Sequence, residues 1–212
     1  MRIAILGASG QTGTPLTKEA LERGHEVIAI ARSPEKIAFD DPRVIKRAGD
    51  GFDEASIIDA LEGADAVITT VGKTDLRDKR YNLSTAAHHS VIAGMRAHDS
   101  NRLLVISSIG AAQGIKRKGW KRNIYLYLRR KYYRDMFQME LDVAASGLDA
   151  TLVRAPLLHD GPRTKNYFVM EDDNYLELLR ISRADIAHFL LSELEDSKWN
   201  NRTIAVAETT AS

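Results

Sequence analysis

Cysteine is absent from this chain. Its absence excludes a disulfide scaffold, Cys-ligated zinc, an iron–sulfur cluster and thiol catalysis together. It fits a reducing compartment. Proline is scarce, at 5 in 212 residues, so proline-rich linkers are excluded. No run approaches the ~18 apolar residues of a membrane span. Met1-Arg2 is followed by only four apolar residues, Ile3 to Leu6, and then Gly7. That run is too short for a secretory signal, so the expectation is a soluble, cytoplasmic protein without a transmembrane segment. Neither sign of charge dominates. Lys+Arg number 30 and Asp+Glu 29, a net charge of +1, which argues against a nucleic-acid partner. With 44% hydrophobic and 28% charged residues the composition is that of a globular chain, long enough to bury a core without a metal or disulfide staple.

The hydrophobic pattern alternates between two periods from end to end. Continuous apolar runs at Ile3–Leu6 and Val27–Ile30 read as strands of the buried parallel type, and Val44–Lys46, Ala66–Thr70, Leu103–Ile106, Ala150–Val153 and Thr203–Val206 read as further strands. Between them, Thr14–Arg23, Asp53–Leu61, Tyr81–His98, Ile124–Ser146 and Arg183–Leu194 read as helices, with Gly24 and Gly147 as stops. The pattern predicts an α/β fold: a doubly wound parallel sheet with helices on both faces, as a single domain over 1–212. Leu157–Asn174, with Gly161, Pro162 and a Glu171-Asp172-Asp173 run, reads as one long irregular stretch.

The first strand runs directly into Gly7-Ala8-Ser9-Gly10-Gln11-Thr12-Gly13, and a helix follows. Strand, glycine-rich turn and helix together form a dinucleotide-binding signature. Gly7 permits the turn, Gly10 lets a pyrophosphate approach the backbone, and Gly13 lets helix and strand pack closely. The N–H groups at the helix start receive phosphate charge. An NAD-selecting site carries an acid at the end of the second strand. This chain has Arg32, Ser33 and Lys36 there, and a guanidinium can fork onto a 2′-phosphate, so NADP(H) is the expected cofactor. Asp50-Gly51 follows the third strand, where Asp50 has two readings: an acceptor for the adenine amino group, or a helix N-cap. Thr70-Val71-Gly72, at the carboxyl end of the fourth strand, is expected to line the cofactor.

Four segments resemble the short-chain dehydrogenase/reductase superfamily, in its atypical NAD(P)H-binding branch of biliverdin reductase B/flavin reductase-like and NmrA-like proteins. They are the glycine-rich turn, Val105-Ile106-Ser107-Ser108-Ile109-Gly110, Ser146-Gly147-Leu148-Asp149-Ala150-Thr151-Leu152-Val153-Arg154-Ala155-Pro156, and Ile181-Ser182-Arg183-Ala184-Asp185-Ile186-Ala187. The resemblance implies a Rossmann fold, with a substrate cleft formed by about 108–123 and 154–182. It implies Ser107, Pro156 and Leu157 at the cofactor, and Ser108, with Ser107, at the catalytic serine position. The superfamily's usual partners are Tyr-x-x-x-Lys on the next helix, and Tyr127 with Lys131 matches literally. Counted back from Ser146 in family register, however, the tyrosine position falls on Tyr132 and the lysine position on Met136. An offset of five residues on a helix is ~7.5 Å and about 140° of rotation, so the two choices point differently. Asp135 and Glu140 match an acid pattern of the branch but read first as helix-surface charges. Arg154 reads as structural.

From Lys116 to Arg134 there are nine cationic side chains and no acid, with Trp120, Tyr125, Tyr127, Tyr132 and Tyr133 interleaved. Three readings stand: steering of an anionic, planar substrate, a face for a partner or acidic lipid, or a solvated surface. His88-His89 are adjacent on a helix and make a poor metal pair, so no metal site is expected. His159 is expected near the cleft. The expected activity is NADPH-dependent hydride transfer to a flat acceptor of flavin, quinone or tetrapyrrole type. The alternatives are an NADP(H)-reading sensor with little chemistry, or a carbonyl reductase or epimerase using Tyr127 and Lys131. A monomer or homodimer is expected.

Overall fold

The structure is a computed structural model and describes residues 1–72, 82–112, 127, 129–171 and 179–209. In chain order it contains β1 (Arg2–Leu6), α1 (Gly13–Glu22), β2 (Glu26–Ala31), a 3-10 turn (Pro34–Lys36), β3 (Val44–Ala48), α2 (Glu54–Leu61) and β4 (Ala66–Thr69). Then come α3 (Leu83–Ala97), β5 (Arg102–Ser108), α4 (Arg130–Ala144), β6 (Asp149–Ala155), β7 (Leu157–His159), β8 (Tyr167–Met170), β9 (Arg180–Ser182), α5 (Arg183–Asp196) and β10 (Arg202–Glu208).

Eight strands form one sheet in the order β3-β2-β1-β4-β5-β6-β10-β8. All neighbours are parallel except β10 and β8 at one edge. The order reverses between β1 and β4, and this is the point in a doubly wound sheet where a crevice opens above the carboxyl ends of the strands.

The central strands β1, β2 and β4 read as uninterrupted apolar runs because both faces are covered. Along β1 the side chains alternate. Ile3 and Ile5 enter a core with Leu16 and Ala20 of α1 and Leu190 and Leu191 of α5. Ala4 and Leu6 enter a second core with Ile57 and Leu61 of α2, Val91 and Met95 of α3, and Met139 and Val143 of α4. Each fully buried Ile or Leu contributes about 1.5–3 kcal/mol.

The stretch 157–174 is not irregular throughout. Leu157–His159 pairs in parallel with Arg180–Ser182 as a separate two-stranded sheet, and Tyr167–Met170 joins the main sheet antiparallel to β10. Both strands are too short to leave a period. The expected helices over Tyr81–His98 and Ile124–Ser146 are described from Leu83 and Arg130 onward, and their first parts lie largely outside the described residues.

Asp135 and Glu140 correct the surface reading, because both are buried. Asp135 reaches from α4 to the first turn of α3. Its carboxylate accepts from the Ser84 N–H at 2.8 Å, the Thr85 N–H at 3.1 Å and the Thr85 hydroxyl at 2.7 Å. The α3 N-cap, Asn82, provides no side-chain bond, so a carboxylate from another helix satisfies these otherwise orphaned donors. Sequence spacing along one helix does not show that its acids serve a neighbour.

Candidate functional site

A cavity of about 690 Å³ lies above the carboxyl ends of the strands, at the point where the sheet order reverses. Its first wall is the turn after β1. Gly7 has φ +90°, and a Cβ there would sit 2.8 Å from the Thr70 hydroxyl, so both conformation and space require glycine. At Gly13 a Cβ would stand 2.2 Å from the Gly7 carbonyl oxygen. Helix and strand therefore approach at backbone contact. Gly7, Ser9, Gly10, Gln11 and Thr12 line the cavity. Gly10 N–H donates back to Gly7 O at 2.9 Å and closes the turn. The N–H groups of Ser9, Gln11 and Thr12 have no partner among the described residues. This cradle of free donors, with no side chain filling it, fits the phosphates of a dinucleotide. Gly13 supports the turn from outside the cavity, and Ala8 is buried in the core beneath it.

The second wall is the end of β2 and β3. Arg32 lines the cavity and is exposed, while Ser33 and Lys36 stand back from it on the 3-10 turn. Gly49, Asp50 and Gly51 complete this end. The Asp50 carboxylate accepts the Phe52 N–H at 3.1 Å. The N-cap of α2 is Asp53, whose carboxylate accepts the Ser56 N–H at 3.3 Å. The capping alternative for Asp50 thus passes to Asp53, and Asp50 faces the cavity.

Thr70, Val71 and Gly72 line the centre. Behind them, buried His88 accepts the Thr69 hydroxyl at Nε2, 2.8 Å away, and donates from Nδ1 to the Ser84 carbonyl, also at 2.8 Å. Burial pushes this imidazole down to about 4, so it is neutral near pH 7. Its neighbour His89 is turned outward to Asp142 at 2.9 Å, so the adjacent pair does not converge.

The last wall comes from β5, α4 and the β6–β7 connection. The two serines separate in role. The Ser107 hydroxyl is buried and lies 2.5 Å from a Glu140 oxygen, to which it donates. Arg154 forks onto the same carboxylate, through Nη2 at 2.7 Å and Nε at 3.0 Å. Arg154 is structural, and Glu140 is the centre of a buried pair that holds β5, β6 and α4 together. The Ser108 oxygen instead accepts the Gly110 N–H at 3.2 Å, which leaves its O–H able to donate into the cavity. Tyr132, Pro156 and Leu157 also line this end. Tyr127 is 63% exposed, with the Arg130 guanidinium 4.1 Å from its ring centroid. Lys131 is exposed, and neither it nor Tyr127 lines the cavity.

Sequence reasoning did not assign Arg129, Tyr133, Met136 or Arg183 to the cavity, although all line it, whereas Leu158 and Leu179, which also line it, fall within the expected cleft segment 154–182. Tyr133 had a signal in Gly110, where a Cβ would stand 2.1 Å from the tyrosine ring. Lys116–Arg122 of the cationic stretch, with Trp120 and Tyr125, and 113–123 of the expected cleft lie outside the described residues. His159 bonds Glu208 at 2.6 Å instead of entering the cavity. Among the described residues no cluster of His, Asp and Glu could hold a metal, and no helix is long and apolar enough to cross a membrane.

Comparison with known proteins agrees with this geometry. A family model described as NAD(P)H-binding matches residues 7–197. Sterol demethylase protein B of Methylococcus capsulatus is 30% identical over 165 residues, covering 72% of this chain and 50% of that one. The chain spans about half the length of the curated relatives it matches, here and in Bacillus subtilis YwnB. Among solved structures, ChuY, an anaerobillin reductase from Escherichia coli O157:H7, superposes with TM-score 0.81 at 20% identity, covering 100% of this chain and 99% of that one. A short-chain dehydrogenase/reductase from Veillonella parvula in complex with NADP superposes with TM-score 0.82 at 17% identity, covering 99% and 95%.

Proposed function

The chain belongs to the NAD(P)H-binding family, and on that premise we propose that it is an NADPH-dependent reductase of a flat acceptor, such as a flavin, quinone or tetrapyrrole. One observation carries the reading. A single cavity is lined by the glycine-rich turn, by Arg32, and by Ser108 and Tyr132, and beside the last two its lining is largely apolar or aromatic, with Arg129 and Arg183 as its cationic members. Its phosphate cradle is backbone, its 2′-phosphate candidate is Arg32, and its acceptor end is bounded by Leu157, Leu158, Leu179, Met136, Tyr132 and Tyr133. The name of ChuY points the same way.

When bound, the nicotinamide supplies the hydride. The chain's own groups orient the acceptor and exclude water from it. The apolar wall and the two tyrosine rings, whose centroids lie 5.4 Å apart, favour a flat ring over a small carbonyl. Ser108 donates a hydrogen bond from its hydroxyl to an acceptor heteroatom as charge develops there, and keeps its proton. Ser107, committed to Glu140, fixes the strand end from which Ser108 projects. Flat acceptors of this kind take hydride readily, so proximity provides much of the acceleration and solvent can provide the last proton. Conversion by the Tyr127–Lys131 pair is disfavoured, since both side chains are exposed and neither lines the cavity.

The second reading is a sensor that binds the cofactor and turns little over, favoured by the absence of lysine among the described residues lining the cavity. Turnover decides between them. NADPH oxidation is measured against flavins, quinones, biliverdins and simple carbonyls, with binding titrated by nicotinamide fluorescence. The reductase reading expects turnover with flat acceptors, and about a tenfold loss of kcat in Ser108→Ala, the value of one hydrogen bond. Tight binding with no turnover on any acceptor removes that reading and leaves the sensor.

A further inference from the structure

Arg183 is the first residue of α5, and its side chain is only 17% exposed. Its Nη2 crosses to the glycine-rich turn and donates to the side-chain oxygen of Gln11 at 3.0 Å. Its Nη1 donates to Asp160 at 2.8 Å. Its Nε–H is buried and has no acceptor among the described residues. Other enclosed arginines are neutralised differently. Arg154 meets buried Glu140, and Arg102 meets Glu193, which is 1% exposed. The acid beside Arg183 is 84% exposed, where water screens it, and its other acceptor is a neutral amide. A positive charge is therefore left weakly compensated in the wall of a cavity that already carries a phosphate cradle.

We propose that Arg183 is an anion-binding residue of this cavity, whose guanidinium exchanges the Gln11 amide oxygen for phosphate or carboxylate oxygens of a bound molecule. The exchange replaces a neutral acceptor by a charged one, and charge-assisted bonds are roughly twice as strong. No covalent bond changes; one hydrogen-bond acceptor replaces another. The anion has two possible sources: the pyrophosphate of the dinucleotide, or an acidic group on the acceptor. This rests on the reading of the cavity as a cofactor site, but it can be tested without that reading.

The test is calorimetric titration of the full chain with inorganic pyrophosphate and, separately, with benzoate, each with and without NADPH present. Arg183→Gln, Arg183→Lys and Asp160→Asn are compared with the unmodified protein. The expected result is that Arg183→Gln weakens one of the two probes about tenfold. Arg183→Lys retains most of the affinity, because the charge remains. Loss confined to pyrophosphate, with NADPH displacing the probe, assigns the anion to the cofactor. Loss confined to benzoate, which binds while NADPH is present, assigns it to the acceptor. Asp160→Asn removes the competing acid and tightens the same probe about twofold. Arg183→Gln binding both probes as the unmodified protein does overturns the proposal. If Arg183→Gln does not fold, unchanged affinities in Asp160→Asn overturn it. Failure of the unmodified protein to bind NADPH counts against the cofactor site and not against the anion site, which pyrophosphate and benzoate report directly.

Discussion

Between Gly7 and Gly13 the wall of the cavity is made mostly of backbone, whereas the part from β5, α4 and α5 presents the side chains of Ser108, Arg129, Tyr132 and Arg183. The first wall is one contiguous stretch of sequence whose shape follows from glycine and from the free N–H groups of a turn. The second is assembled from segments far apart in sequence, and the buried Glu140–Arg154 ion pair between α4 and β6 helps hold it in place. A backbone wall suits what every dinucleotide shares, its phosphates. A side-chain wall suits what differs between substrates. The two walls fail for different reasons, and that difference can be measured.

The largest effect is expected behind the side-chain wall. Glu140→Ala leaves the Arg154 guanidinium buried without its carboxylate and frees the Ser107 hydroxyl. Breaking one partner of a buried pair costs about 3–5 kcal/mol. Chemical unfolding is expected to show a loss of that size, and a Glu140→Met/Arg154→Leu double variant is expected to recover much of it. Equal losses in the single and double variants would show that the pair is not what holds this wall.

Behind the centre of the cavity, between Thr69 and Ser84, stands a neutral histidine. His88 has a folded pKa of about 4 against an ordinary 6.5, because burial disfavours the charged ring. Above pH 6.5 the ring is neutral in both states and its contribution to stability is fully present. Between 6.5 and 4 the unfolded chain takes up a proton that the folded chain refuses, so stability falls as pH falls. The span corresponds to about 3 kcal/mol. His88→Gln is expected to flatten this part of the stability–pH profile. An unchanged slope would mean that other groups dominate acid sensitivity.

A smaller loss is expected at the turn itself. Gly13→Ala places a Cβ against the Gly7 carbonyl and the Ala8 Cα. Forced overpacking of this kind costs about 1–3 kcal/mol. NADPH affinity is expected to fall together with thermal stability, because the same contact shapes the cradle. Weakened binding at unchanged stability would separate two roles that the geometry joins.

The same contrast explains what was legible before the structure. The turn, the alternation of strands and helices that implies a parallel sheet, and Thr70–Gly72 follow from local pattern, since each residue's role depends on its neighbours in sequence. Only the family resemblance favoured Ser108 over Ser107; their own residues did not separate them, because the carboxylate that does so comes from a helix about thirty residues away. Asp135 and Glu140 misled for the same reason: their positions on α4 give no sign that α3 and β6 cover them. The strands at Leu157–His159 and Tyr167–Met170 are defined by partners at Arg180–Ser182 and Ala205–Glu208, contacts with no local period. Ser33 and Lys36 were grouped with Arg32 by adjacency, but Pro34 starts a turn that carries Lys36 away from the cavity.

Arg32 is where the comparison is sharpest, because it is a charged side chain standing at the backbone wall. It is exposed at the carboxyl end of β2, and no carboxylate follows at the next two positions to accept from ribose hydroxyls. A guanidinium there gains charge-assisted hydrogen bonds from a 2′-phosphate and little from a 2′-hydroxyl. Because the site is exposed, water and salt screen it, and a preference of about tenfold, ~1.4 kcal/mol, is the expected scale. Arg32→Ala is expected to remove most of that preference by weakening NADPH binding while leaving NADH binding within about twofold. The NADPH advantage of the unmodified protein is expected to shrink between low and high salt, and the variant's affinities to be less salt-dependent. An equal loss for both cofactors would mean that Arg32 acts on the adenine or the phosphates they share, and the selection would then belong to the backbone wall after all.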